Sequence, residues 1–288
     1  MYWLTLTLFC AFALAASDAV AKKTLSHLDI RSLTVIRLGF AGLLMLPQAF
    51  SAPLHNLPWE FWLWMAILIP AEITAMVFYM KAIRDYPLSL TVPYLTFTPV
   101  FAIFSAQFFL GEQIGLSGLI GILLVVTGAW LLNVPEIGKV SLRNIFDPLK
   151  SIFRNAGARY MLLAAIIYSL TSSGGKVLMA YMPASQLGSF YFACVGLVVI
   201  LMFGKHSASA IRKNLIPGFF VAALMAIMVF LHFLALEQIE VAYMISVKRS
   251  SVLFGIIFGV LFFKERHLAM HLFAASLMLA GVFVIGIL

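Results

Sequence analysis

Ten apolar runs, separated mostly by short polar loops, account for most of this sequence of 288 residues. Each run is about 18–25 residues long, and a helix of that length crosses about 30 Å of hydrocarbon at 1.5 Å per residue. We therefore predict an all-α membrane protein with ten transmembrane helices. The predicted spans are residues 3–21, 33–50, 59–83, 87–110, 114–133, 159–181, 185–204, 215–236, 241–263 and 268–288.

The composition excludes a soluble globule. Hydrophobic residues make up 63% of the chain and charged residues 10%, and the mean hydropathy is +1.06. The net charge of +8 does not indicate a nucleic-acid partner, because most basic residues are dispersed over short loops between the runs. Cys10 and Cys194 both lie in apolar runs, where they are expected to serve as small packing residues and not as a disulfide.

Basic residues are concentrated in alternate loops. The loops on one side of the predicted membrane contain Lys22, Lys23, Arg31, Lys81, Arg84, Lys205, Arg212, Lys213, Lys264 and Arg266, whereas the opposite loops contain Glu60, Glu112, Glu237 and Glu240. By the positive-inside rule the basic side is cytoplasmic. We expect a multi-pass protein of the bacterial cytoplasmic (inner) membrane, with both termini outside.

The first run has one feature of a signal peptide, because Ala13-Leu14-Ala15 resembles a cleavage site. However, no basic segment precedes the run, Lys22 and Lys23 follow it, and it has a counterpart later in the chain. We expect it to be retained as a helix.

The chain resembles itself at an offset of about 153 residues. This offset aligns Lys23 with Lys176, Glu112 with Glu265 and Gly128 with Gly281, and it brings all five pairs of spans into approximate register. The predicted organisation is a first five-helix repeat at 1–133, a basic linker at 134–158 and a second five-helix repeat at 159–288. Segment 142–154 of the linker is either an interfacial amphipathic helix or a plain connection. Because each repeat has an odd number of spans, the second enters the membrane inverted, as in many secondary transporters.

Several short motifs resemble those of the EamA-type branch of the drug/metabolite transporter superfamily. They are the stretch from Pro99 to Glu112, its echo Phe262-Phe263-Lys264-Glu265-Arg266, a glycine in each fifth span (Gly128, Gly281) and Arg37 early in the second span. This resemblance covers the whole chain and implies transport of amino acids, nucleotide-related metabolites, sugars or amphiphilic drugs. Lys248-Arg249 is also similar to the Lys-Arg pair that holds substrate phosphate in the sugar-phosphate translocators. Those relatives have a further lysine in the fourth helix, which this chain lacks.

Lys248 and Arg249 lie well inside the ninth apolar run. A charged side chain near the bilayer centre costs about 2.5–3.5 kcal/mol, so two adjacent ones require a partner or a function. Inside the spans we count Arg37, Lys176, Lys248 and Arg249 against Asp18 and Glu72, an excess that favours an anionic substrate. The predicted substrate-binding residues are Lys248, Arg249, Tyr94, Thr98, Ser172, Lys176, Tyr243 and Ser246. A threonine hydroxyl has the alternative of bonding to its own helix backbone, and Lys176 has that of reaching outward to the membrane surface.

Glu72 and His232 are the candidates for proton coupling. Glu72 lies near the middle of the third span, where a carboxyl group suits the binding and release of a proton, although a permanent salt bridge to Lys248 or Arg249 is the alternative. His232 is a candidate proton relay or a packing residue. Asp18 and Arg37 form either a structural ion pair or charges that reach the surface.

These patterns predict a secondary transporter that moves a small anionic or zwitterionic metabolite by alternating access. The substrate would be an amino acid, an organic acid, a sugar phosphate or a nucleotide-related compound. The alternatives are an exporter of cationic or amphiphilic drugs and a membrane-embedded enzyme. No nucleotide-binding loop, metal-ligand cluster or nucleophile motif is present in the sequence, so we expect no enzyme activity, cofactor or metal. The expected partners are a small-molecule substrate and the bilayer; the oligomeric state is open, with a monomer possible.

Overall fold

The computed structural model describes residues 2–86, 91, 94–132, 155–263 and 269–287. Within these residues the secondary structure is entirely helical, as predicted. The helices are α1 (Tyr2–Thr24), α2 (Ile30–Ala49), α3 (Trp59–Asp85), α4 (Thr98–Leu110), α5 (Leu116–Leu132), α6 (Ala156–Leu178), α7 (Ala184–Lys213), α8 (Leu215–Leu236), α9 (Val241–Lys248), α10 (Ser251–Phe263) and α11 (Ala269–Gly286).

Seven segments in this part of the chain are long and apolar enough to cross a membrane. They are α1, α2, α3, α6, α7, α8 and the stretch Val241–Gly259, which joins α9 to the start of α10. The apolar helices α4, α5 and α11 are shorter. The predicted linker falls outside the described residues from 134 to 154, and so does the whole of the amphipathic segment 142–154.

Two helical segments differ from the predicted spans. The seventh span was expected to end at residue 204, but α7 continues to Lys213, so Lys205 and Arg212 extend the helix and do not lie in a loop. The helix continues because segment 205–213 contains neither proline nor glycine, and Asn214 is its C-cap residue. The ninth span, predicted at residues 241–263, contains two helices that are separated at Arg249 and Ser250.

Local sequence signals account for several helix ends. The Asn155 side chain accepts a hydrogen bond of 2.8 Å from the Gly157 backbone N–H and caps α6, and Asp29 caps α2 in the same way. Gly111, with a φ of +69°, ends α4 in the left-handed conformation that favours glycine. Glu112 is thereby placed just beyond the helix end.

The structure contains the repeat that the sequence predicted. An offset of 153 residues superimposes the bounds of α4 on those of α10 and the start of α5 on the start of α11, and it aligns the other pairs approximately. The packing is repeated as well, because α1 packs against α8 just as its counterpart α6 packs against α3. The two halves therefore interlock, with each first helix lying against the third helix of the other half.

Small residues allow the corresponding helices of the two halves to approach closely. A Cβ atom on Gly196 of α7 would lie 2.9 Å from the Gly42 Cα of α2. On the opposite helix pair, a Cβ on Gly281 of α11 would lie 2.6 Å from the Gly121 carbonyl oxygen of α5. Close packing of small residues is a main source of helix association in membranes. Both contacts join one half of the molecule to the other.

Large apolar side chains lie on the outer surface, where a soluble protein would have polar ones. Phe108, Leu201 and Phe219 are among the exposed residues, whereas charged side chains such as Arg37 and Arg249 are buried. This distribution is expected of a protein whose surroundings are lipid and whose polar groups face inward.

Candidate functional site

The helix interruption at Arg249 and Ser250 has an equivalent in the first half. The Ser250 N–H donates to the Val247 carbonyl oxygen at 2.9 Å, a bond that spans three residues in place of the usual four. At an offset of 153, the Phe97 N–H donates in the same way to Tyr94 at 3.3 Å. Each half therefore contains a helix that is broken within its apolar length, and interrupted helices of this kind form the substrate sites of many transporters.

Arg249 lies at the break in the second half. Its side chain is only 7% exposed, and its Nε is buried without a hydrogen-bond partner in the described structure. The guanidinium interacts electrostatically with Tyr79 and Tyr168, which come from α3 and α6. No described carboxylate forms an ion pair with it. A buried guanidinium with an unused donor is suited to binding an anion.

Lys248 has different surroundings. Its Nζ lies 3.4 Å from the His232 Nδ1, and a lysine ammonium can make this contact only as the donor to an unprotonated ring nitrogen. Lys248 also interacts electrostatically with Glu72 of α3. The structure thus brings the two proton-coupling candidates to the same lysine.

Glu72 is 8% exposed and lies beside the Thr171 hydroxyl of α6. The salt bridge to Lys248 or Arg249 that the sequence left open is not among the ion pairs of the described residues. The half-buried Tyr168 and the buried Tyr191 interact electrostatically with this carboxyl group. Glu72 is therefore a buried acid with hydroxyl groups and Lys248 among its neighbours.

Arg37 is a second buried arginine. It lies in a π-helical segment of α2, Val35–Phe40, and its Nη2 donates to the Asp18 Oδ1 at 2.5 Å. Its Cζ lies 5.9 Å from the centroid of the Tyr79 ring, and its Nε has no partner within the described structure. The ion pair with Asp18 that the sequence suggested is present, but it uses only part of the guanidinium.

Two of the five predicted hydroxyl ligands bond to nearby backbone. The Thr98 hydroxyl donates to the Leu95 carbonyl oxygen at 2.6 Å, and the Ser246 hydroxyl donates to Ala242 at 2.7 Å. Tyr94 is fully buried and contacts Trp130 in a second, smaller core cluster. Tyr243 packs against α5 at Gly118. Ser172 is half-buried on α6.

Lys176 is held at one end of the molecule. Its Nζ donates to the Glu112 Oε1 and to the Ile239 carbonyl oxygen, each at 2.6 Å. The second oxygen of Glu112 accepts a bond of 2.8 Å from the Val241 N–H, at the start of α9. We call this set, Glu112, Lys176, Ile239 and Val241, the Glu112 bridge. It joins α4, α6 and α9, and it occupies Lys176 in this conformation.

Sequence reasoning did not assign Tyr79, Tyr168 or Arg37 to the substrate site. Nothing in the sequence around Tyr79 or Tyr168 distinguishes these tyrosines from others in the apolar runs. The excess of basic residues inside the spans, four of six charged residues, was a signal for Arg37. The alternative of an ion pair with Asp18 instead suggested a structural role.

One groove lies outside this cluster. A groove of about 270 Å³ between α4 and α6 is lined mainly by apolar side chains such as Phe104, Phe108 and Leu170, with Ser105 and Ser169. Its position on the outer surface separates it from the charged residues. Among the described residues, no group of three or more His, Cys, Asp or Glu side chains is arranged to hold a metal ion.

Comparisons with known proteins agree with this architecture. One solved crystal structure matches with a TM-score of 0.75 and 15% sequence identity, covering 98% of this chain and 95% of its own, which shows a shared fold. A search among curated proteins found no match. The model of the EamA-like transporter family matches residues 1–134 and 155–287, which is nearly the whole sequence in two parts. The chain therefore belongs to the EamA-like transporter family.

Proposed function

We propose that this protein is a secondary transporter that moves a small anionic or zwitterionic metabolite across the bacterial cytoplasmic membrane by alternating access. The observation that carries the proposal is Arg249, a buried guanidinium at a helix break with an unpartnered Nε and no described carboxylate bound to it. We further propose ten membrane spans in two inverted five-helix repeats, at 1–133 and 159–288 around a basic linker. The basic loops would face the cytoplasm, and both termini would lie outside.

The charge balance supports an anion. Among the described residues in the centre of the molecule, three cations (Arg37, Lys248, Arg249) face two acids (Asp18, Glu72). One uncompensated positive charge in a membrane interior is unfavourable, and a bound anion removes it. A substrate carboxylate or phosphate would therefore bind most strongly at Arg249, the cation without an acidic neighbour. The planar guanidinium is permanently charged and can donate two parallel hydrogen bonds to such a group.

The broken helices supply the moving parts of the mechanism. Arg249 lies on the broken helix of the second half, and Tyr79 and Tyr168 come from one helix of each half. A substrate held among them would contact both halves, and rocking of one half against the other would expose it to each side in turn. The Glu112 bridge would close one side in the present conformation. Glu72, with His232 next to Lys248, is proposed to couple the cycle to protons.

The proposal is tested by removing the guanidinium. Arg249→Gln and Arg249→Lys should weaken binding of the transported anion by about tenfold to a hundredfold, because a charge-assisted hydrogen bond contributes about 1.5–3 kcal/mol. Uptake of a panel of labelled amino acids, organic acids, sugar phosphates and nucleotides into proteoliposomes measures this. Arg84→Gln, which removes an exposed arginine at the end of α3, is the matched control. Undiminished transport of every anionic or zwitterionic substrate by Arg249→Gln contradicts the proposal.

Glu72 favours a second candidate function, export of cationic or amphiphilic drugs. Its buried carboxyl lies among Tyr168, Tyr191 and Thr171 and makes no ion pair within the described structure, an environment suited to an organic cation. The two functions differ in the variant that abolishes them. Loss of transport in Glu72→Gln, with a cationic dye as substrate and Arg249→Gln still active, would favour drug export.

A further inference from the structure

The backbone around Arg37 is distorted in a way that its repeat counterpart is not. Segment Val35–Phe40 is π-helical, whereas the equivalent residues 188–193 lie in the regular α-helix α7. A π-helical turn is less favourable than an α-helical one and occurs often at functional sites. The π-helical segment contains Arg37, a residue that is only 2% exposed.

The contacts of Arg37 are incomplete. Asp18 accepts one hydrogen bond from Nη2, whereas a carboxylate that binds a guanidinium with both oxygens accepts two. The Nε donor is buried and unpartnered in the described structure. The Asp18 side chain is 37% exposed, in contrast to 3% for the Arg37 side chain. Arg37 therefore has one counter-ion and one unused donor, and Asp18 is exposed enough to turn to water if another anion replaces it.

We propose that Arg37 is a second anion subsite of the transport site, and that Asp18 occupies it until a second anionic group of the substrate takes its place. The substrate class is then a dianion, such as a dicarboxylate or a compound with a carboxylate and a phosphate. The inference rests on the proposed function, because the first anionic group is assigned to Arg249.

Charge balance distinguishes a dianion from a monoanion. With Asp18 bound to Arg37, the cations Arg37, Lys248 and Arg249 face Asp18 and Glu72, and a monoanion neutralises the cluster. When Asp18 turns to water, only Glu72 remains, and two negative charges are required. The Arg37 Cζ lies 5.9 Å from the Tyr79 ring, and Tyr79 also interacts electrostatically with Arg249, so both arginines lie near the same tyrosine. Because they come from different halves, a dianion would link the halves together.

The experiment compares two probes that differ by one charge. Glutarate has two carboxylates, and valerate has a methyl group in place of the second. Thermal unfolding and ligand titration of the purified protein in nanodiscs should show at least fivefold tighter binding of glutarate to the wild type. Asp18→Asn should be less stable without ligand, because Arg37 loses its counter-ion, and should bind glutarate about tenfold more tightly, because no internal carboxylate competes.

The preference for glutarate should disappear in Arg37→Gln. Arg37→Lys keeps the charge but removes Nε, so it should retain only part of the preference for glutarate. It replaces Arg37→Gln if the glutamine variant does not fold. Asp85→Asn, which removes an exposed acid at the end of α3, should behave as the wild type.

Three results overturn the inference. They are equal binding of glutarate and valerate by the wild type, unchanged or weaker glutarate binding by Asp18→Asn, and a full preference for glutarate in Arg37→Gln. If Arg249→Gln still abolishes binding of both probes in such a case, the proposed function stands without the second subsite. If Arg249→Gln binds both probes as the wild type does, both proposals are wrong for carboxylates.

Discussion

Lys248 and Arg249 are neighbours in the sequence, but the structure gives them unequal surroundings. Lys248 has an acceptor in His232 and an acidic neighbour in Glu72. Arg249 has tyrosines near it and a buried donor without a partner. Adjacent residues in a helix point about 100° apart, so one pair of charges can serve two purposes. We infer that Lys248 takes part in internal charge compensation, and that Arg249 is the group available to substrate.

Asp29 illustrates a charge whose role is structural. Its Oδ1 accepts a bond of 3.3 Å from the Ser32 N–H and caps α2, and its Oδ2 lies 3.3 Å from the His206 Nε2. Asp29→Ala should lower the free energy of unfolding by about 1 kcal/mol at pH 7, the usual cost of losing an N-cap. Asp29→Asn keeps an acceptor for the cap and should lower the free energy of unfolding by less. Chemical denaturation of both variants measures the difference, and equal stability of the alanine variant and the wild type contradicts the assignment.

The same residue predicts a pH dependence. Partial burial of the Asp29 carboxyl raises its pKa, but hydrogen bonds from Ser32 and the contact with His206 outweigh burial and hold the pKa below its ordinary value. A carboxyl whose pKa is lower in the folded state stabilises the protein above the unfolded pKa, and this contribution disappears as the pH falls through the folded pKa. The stability difference between the wild type and Asp29→Ala should therefore shrink below about pH 4.

At the scale of elements, the two broken helices show what sequence patterns can and cannot predict. Pro93 and Pro99 both lie in the predicted fourth span, where proline predicts a kinked or loosened helix, and the described break at Thr96 and Phe97 lies between them. No proline or glycine marks the equivalent break at Arg249 and Ser250. That break is therefore evident in the structure alone. The π-helical segment of α2 has no local sequence signal either, since it depends on packing against helices far away in the chain.

The Glu112 bridge is the clearest contact between elements that the sequence did not reveal. Glu112 and Lys176 are 64 residues apart, and nothing in their local sequences indicates that they meet. Their carboxylate and ammonium join α4 and α6, and the second carboxylate oxygen caps the first turn of α9. A single side chain thus holds three helix ends.

Removing either charge of this bridge should destabilise the present conformation. Glu112→Gln and Lys176→Gln should each lower the free energy of unfolding by about 1–3 kcal/mol, because the remaining charge is left partly buried. The double variant should lose less than the sum of the two, which a double-mutant cycle in nanodiscs measures. Glu237→Gln, an exposed acid at the end of α8, is the matched control. Additive losses contradict a direct interaction.

At the scale of the whole molecule, the fold is repeated but the chemistry is not. The repeat positions of Arg37, Glu72 and Arg249 are Phe190, Met225 and Thr96, so each central charge occurs in one half only. The apolar runs and the offset were sufficient to predict an all-helical fold in two related halves, because membrane helices are determined by length and hydropathy. The partners of the central charges depend on helix rotation and on contacts between distant segments. Those are properties of the packed structure.

The proposed orientation makes a prediction about the exposed loops. Ser26 follows α1 and Gln113 follows α4, and both are exposed in short loops at the ends of helices. If the basic side is cytoplasmic, these loops lie on opposite sides of the membrane. Cysteine substitutions at each position, in a variant with Cys10→Ala and Cys194→Ala, can be treated with a membrane-impermeant maleimide in intact spheroplasts. Gln113→Cys should be labelled at once, whereas Ser26→Cys should be labelled only after permeabilisation. The reverse pattern would place both termini in the cytoplasm and the Glu112 bridge on the cytoplasmic side of the substrate site.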